Sequence, residues 1–156
     1  MRPAYPAARA RRVYAAVAAA LLAVTLSGCI PATPDADTYR DKAERTLGAG
    51  VSQTTTVAMI LRNLHKDKMF RPAAITQMRY SQGSLDTAST AFNELTGPAQ
   101  LDDLTRKVSS WMSDAQTKAD DARTAIERGN RGEYLPLAKE LTSLADKMEK
   151  LETSLR

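Results

Sequence analysis

Residues 134–155 read YLPLAKELTSLADKMEKLETSL. Tyr134, Leu137, Leu141, Leu144, Met148, Leu151 and Leu155 follow one another at steps of three and four without a miss. That is the heptad spacing of an α-helix with a single apolar seam. Pro136 fits, because proline is tolerated in the first turn of a helix. The segment predicts a helix over about 133–155. A helix of this length draws most of its stability from burying its apolar face, so the seam requires partners.

The residues upstream supply them. Gly129-Asn130-Arg131-Gly132 reads as a turn, and before it a helix is expected over about 98–128. Its stripe is Leu101, Leu104, Val108, Trp111 with Met112, Ala115, Ala119, Ala122 and Ile126. Asp102 with Arg106, Asp103 with Lys107 and Asp114 with Lys118 form acid-first i,i+4 pairs on it. Gly97-Pro98 reads as the cap of one helix followed by the first turn of the next. The preceding helix is expected over about 72–96, with Ile75, Met78, Leu85, Ala88, Phe92 and Leu95 on one side. Lys66 to Arg71 (KDKMFR) is the turn before it, because Pro72 disfavours helix at Arg71.

The first helix of the series is expected over about 34–66, with Thr33 as N-cap and Pro34 at its first position. Tyr39, Ala43, Leu47, Val51, Thr54, Ala58, Leu61 and Leu64 form its stripe, and Asp41 with Arg45 an i,i+4 pair. Gly48, Gly50 and the run Thr54-Thr55-Thr56 weaken it and threaten a break. Four helices with short connections imply an all-α fold, an antiparallel up-down four-helix bundle over residues 34–156. There are no strand-like alternations.

Residues 1–28 have a different composition. Met1 to Arg12 is basic, Val13 to Leu26 is an uncharged apolar run of about 14 residues, and Ser27-Gly28 is small. This is the order of an export signal, and the run is shorter than the roughly 20 residues that span a bilayer. Arg2, Arg9, Arg11 and Arg12 are four of the 22 basic residues; removing this segment leaves 18 against 18 acidic ones. The basic pI of about 9.3 therefore gives no case for nucleic acid. Cys29, the one cysteine, has no partner for an internal disulfide.

Leu26-Ser27-Gly28-Cys29 resembles the lipobox of bacterial lipoproteins. The resemblance implies a diacylglycerol on the Cys29 thiol, cleavage between Gly28 and Cys29, further acylation of the palmitate type, and residues 29–33 as a lipidated tether. The implied location is the extracytoplasmic face of the cell membrane. The remainder is similar to small helical lipoproteins of GC-rich Gram-positive bacteria in its Ala/Arg/Asp-rich composition and helix layout.

The residues give no catalytic constellation. His65 is the lone histidine, at a helix end beside a charged turn, with no Glu-x-x-His motif and no serine partner. Asp102-Asp103 and Asp120-Asp121 are adjacent, so their side chains diverge around the helix. No catalytic residue, metal or cofactor is expected. The expected role is binding another envelope component, a protein or a polymer; the alternative is a small-ligand or cofactor carrier with polar groups converging on a cavity in the bundle core.

One region breaks a local rule. The second helix opens with Arg71 and Arg79 and closes with Asp86 and Glu94, against its dipole. In an up-down bundle its start lies beside the 129–132 turn. Lys66, Lys68, Met69, Phe70, Arg71, Arg128 and Arg131 would then form a basic patch with an apolar centre, roughly 50 Å from the tether for a straight helix at 1.5 Å per residue. Such a patch suits an anionic or mixed partner.

Overall fold

The computed structural model describes residues 34–156. The signal segment, Leu26-Ser27-Gly28-Cys29, the tether and Thr33 lie outside them. The described residues are all-α: α1 (Ala36–His65), α2 (Arg71–Asn93), α3 (Asp102–Arg128) and α4 (Tyr134–Leu155), with single 3-10 turns at Ala99–Leu101 and Arg131–Glu133. No strand occurs among them. Residues 33–156 form a compact unit of their own. No helix among the described residues is long and apolar enough to cross a membrane.

The N-cap of α1 is Asp35, and Pro34 precedes the helix instead of opening it. Asp35 Oδ1 accepts from the Thr38 N–H at 2.8 Å. A carboxylate facing the positive end of a helix is a strong cap. The same Thr38 N–H, by stabilising the ionised form, holds the Asp35 carboxyl below its ordinary pKa.

The helix then runs unbroken through Gly48 and Gly50. Gly50 serves close approach, whereas Gly48 has room for a Cβ. A Cβ on Gly50 would lie 2.8 Å from Met148 Sδ and 2.9 Å from Met112 Sδ, and one on Gly48 would lie 3.5 Å from Glu152 Oε1. At residue 50, α1 meets α3 and α4 at once, and tertiary packing overrides the weak local propensity.

α2 begins at Arg71, with Pro72 inside its first turn, and ends at Asn93, three residues short of the expected limit. After it the chain turns, with the Leu95 N–H donating to Phe92 O, and Leu95 packs back on the core. Gly97 is not a left-handed cap, since Gly129 is the positive-φ glycine of the described residues. Gly97 instead lies against a ring: a Cβ there would be 2.7 Å from Tyr39 Cζ. Pro98 is extended ahead of the 3-10 turn, so α3 starts at Asp102 and not at residue 98.

The core is one cluster to which all four helices contribute. Of the expected stripes, Tyr39, Leu47, Leu61, Met78, Leu85, Phe92, Val108, Met112, Ile126, Leu141 and Met148 are fully enclosed. Val51, Ile75, Leu95, Leu101, Leu104, Trp111, Leu137, Leu151 and Leu155 pack at its margin. α1 packs against each of the other three helices, most extensively against α4. The seam of α4 is therefore spent inside the fold. The expected i,i+4 pairs are not formed among the described residues: Arg106 pairs with Asp103, and Lys118 reaches across to Glu140 of α4. Such exposed pairs are worth little, so small rotamer preferences decide among neighbouring partners.

Candidate functional site

The α1–α2 and α3–α4 turns come together at one end of the bundle. Both are built from the same backbone device. At the end of α1 the Lys68 N–H donates to Asn63 O at 2.8 Å and the Asp67 N–H to Leu64 O at 3.2 Å. At the end of α3 the Asn130 N–H donates to Ala125 O at 2.9 Å and the Gly129 N–H to Ile126 O at 3.1 Å. This is the Schellman arrangement, which needs a left-handed residue just past the helix. In the second turn that residue is Gly129, at φ 70°. In the first it is Asp67, at φ 54°, where any Cβ is strained.

Asp67 has a use that glycine could not serve. Arg131 Nη1 donates to Asp67 Oδ1 at 2.7 Å, while Arg131 Nη2 donates to His65 O at 3.0 Å and Leu64 O at 3.4 Å. One guanidinium thus holds the carboxylate and two carbonyls of the last turn of α1, tying the two turns into one surface. The hydrogen bond and charge of Arg131 hold the Asp67 carboxyl below its ordinary pKa. Asp67 was not among the residues singled out from the sequence. The available signal was a lone acid one residue past the expected C-cap, Lys66, in a turn otherwise made of cations.

The other expected patch residues divide. Met69 is half-buried against the core, so it closes the bundle and does not form an apolar centre outside. Phe70, the N-cap of α2, is 86% exposed. Lys66, Lys68, Arg71 and Arg128 are exposed, and no carboxylate among the described residues lies within ion-pair distance of them or of Arg79. Arg71 reaches toward the second turn, its Nη1 3.7 Å from where a Cβ on Gly129 would stand. The nearby acids are engaged: Asp67 with Arg131, Glu127 with Arg123 at 2.8 Å, and Glu133 accepting from Asn130 Nδ2 at 2.7 Å. The Arg123 hydrogen bond, helped by the charges of Arg79 and Arg71, holds the Glu127 carboxyl below its ordinary pKa. α2 has no acid in its first turn and no side-chain cap, so its positive end adds to the cationic field.

Elsewhere the described residues offer less. No group of three or more His, Cys, Asp or Glu placed to hold a metal occurs among them. His65 is exposed. A hollow of about 560 Å³ on α2, beside Tyr80, Gly83 and Thr87, is an open surface groove. The core offers Leu, Met and Ala side chains and one unpartnered hydroxyl, Thr54 Oγ1, where a carrier would need several convergent polar groups. No family model matches the chain, and neither a curated protein nor a solved structure matches it.

Proposed function

We propose that the protein is a lipid-anchored, extracytoplasmic binding or adaptor protein of the cell envelope that performs no chemistry. It is held at the membrane by acyl chains on Cys29 and engages its partner through the joined turns 66–71 and 128–133. The observation that carries this reading is that Arg131 fixes two turns into one surface whose remaining cations lie within ion-pair distance of no carboxylate among the described residues and whose Phe70 is exposed. Phe70 thus stands in water beside a group of exposed cations, and aromatic and arginine side chains are typical anchors of interfaces.

The anchor is supported by the residues Leu26-Ser27-Gly28-Cys29 and by the apolar run before them, too short to span. Two or more acyl chains give stable attachment where one does not. The four helices are read as an antiparallel up-down bundle. In support, Arg156 of the chain end meets Glu44, Gly50 meets Met148 and Arg62 meets Thr142, so numbers rise along α1 as they fall along α4.

Metabolic labelling with a palmitate analogue in the native host tests the anchor. Cys29→Ala is expected to abolish labelling and release the protein from membranes; unchanged labelling and anchorage would refute it. The binding end is tested by Lys66→Glu, Lys68→Glu and Arg71→Glu together, with unfolding midpoints checked. Loss of crosslinked partners in intact cells is expected, and an unchanged crosslinking pattern would overturn the assignment.

A further inference from the structure

We propose that the partner of the joined turns is an anionic phospholipid bilayer, with the Phe70 ring entering the headgroup–acyl boundary and Lys66, Lys68, Arg71 and Arg128 holding lipid phosphates. The inference rests on the reading of this end as the binding surface; with Cys29 acylated, engaging the same bilayer requires α1, 30 residues at about 1.5 Å each, to lie along it and not stand on it. Three features select a bilayer over a folded protein partner.

The first is the shape of the apolar element. Phe70 is a single ring that stands 86% in water at the junction of a turn and a helix, while its neighbour Met69 is packed inward. A rigid protein partner would have to supply a matching pocket, whereas fluid headgroups close around a protrusion without one. The second is the state of the cations. Lys66, Lys68, Arg71 and Arg128 are exposed and unpaired among the described residues, so their long side chains are free to follow laterally mobile phosphates. The third is charge. Within the two turns five cations, Lys66, Lys68, Arg71, Arg128 and Arg131, stand against two carboxylates, Asp67 and Glu133, of which Asp67 is paired with Arg131, and the uncapped start of α2 adds its positive end. The surface is therefore net cationic and attracts an anionic sheet.

The arrangement also explains why Asp67 is kept in a strained conformation. By holding Arg131 it ties the loop that carries Phe70 to the 129–133 turn. A mobile loop would lose ordering entropy on insertion.

The test is co-sedimentation of residues 33–156, which form a compact unit, with vesicles of equimolar phosphatidylglycerol and phosphatidylcholine or of phosphatidylcholine alone. Binding to the anionic vesicles only is expected, with loss at about 1 M salt, where the screening length is about 3 Å. Lys68→Glu with Arg71→Glu is expected to cut the partition coefficient at least about 25-fold, about fivefold for each cation removed. Phe70→Ala is expected to cut it about tenfold or more, and Phe70→Trp to retain it, with emission quenched by nitroxide-labelled lipid. Lys150→Glu, on α4 away from these turns, serves as a charge control expected to change binding no more than about fivefold. Absence of binding to anionic vesicles at low salt overturns the proposal. So does binding that Phe70→Ala leaves intact. A photocrosslinker at position 70 that yields a protein adduct in intact cells, and no lipid adduct, overturns it in favour of a protein partner. Because residues 1–32 are absent from the vesicle experiment, its failure bears on this end alone, while failure of the Cys29 labelling bears on the anchor.

Discussion

The two ends of the bundle are closed in opposite ways, and the two phenylalanines of the chain record the difference. Where α1 begins, Phe92 is 2% exposed and its ring lies 5.4 Å from that of Tyr39. The backbone at Gly97 presses on the Tyr39 ring, and the Tyr39 hydroxyl is hydrogen-bonded to Thr105 Oγ1 at 2.8 Å. That end is sealed from within by an apolar pair whose polar group is satisfied. Where α1 finishes, the closure is made on the surface by Arg131, and Phe70 is left outside. Burial of aromatics is what a fold does by default. The end that departs from it is the end that stability does not explain.

The contrast can be broken most forcefully at the sealed end. Tyr39→Ala empties a fully enclosed site and strands the neighbouring ring; a loss of about 3–5 kcal/mol in denaturant unfolding is expected. A loss near that expected for surface changes would mean the aromatic pair does not close the bundle. Next in size is Gly97→Ala. Its methyl group meets the Tyr39 ring well inside contact distance, so the ring or the 94–98 segment must shift, at a cost of about 1–3 kcal/mol.

A smaller effect is expected at the other end. Arg131→Gln removes the surface tie and Asp67→Asn its charge, and each is expected to lower the unfolding midpoint by less than Gly97→Ala does. Hydrogen exchange at the amides of residues 67 and 68 should quicken in both. The Asp67 carboxyl has a lowered pKa in the fold, so its contribution is fully present above the ordinary carboxylate range. It disappears as pH falls through the lowered value, and the gap between wild type and Asp67→Asn should close in acid. Closure of that gap on raising the pH instead would break the assignment. The smallest effect belongs to Phe70→Ala, where unfolding is expected to stay within about 0.5 kcal/mol of wild type. A larger loss would place the ring in the fold after all and remove the contrast.

The helices were legible because their apolar residues recur at helical spacing, and the α4 seam most of all. What was hidden depended on meetings between distant residues. Gly97 next to a proline reads locally as a cap, and only the Tyr39 ring 58 positions earlier gives it another purpose. Gly50 reads as weakness until Met112 and Met148 are seen to need the space. Ser81 and Ser89, polar by type, are buried on α2, while Ala74, Ala125 and Ala138 complete stripes read from larger residues. Of the candidate surface, the cations and Phe70 were visible as a departure from dipole preference. The division between Met69 inside and Phe70 outside was not, because adjacent residues at a helix start are sorted by the entry angle of the chain.

Gly50 also acts as a gauge mark. Two sulfur atoms, one from α3 and one from α4, converge on a spot that admits only a hydrogen. Sliding α1 by four residues, about 6 Å, in either direction would bring Thr46 or Thr54 there, and both methionine side chains would have to move. Gly50 therefore favours one longitudinal alignment of the three helices. That alignment is what sets the 66–70 and 129–133 turns level with each other, so that a single arginine can span them.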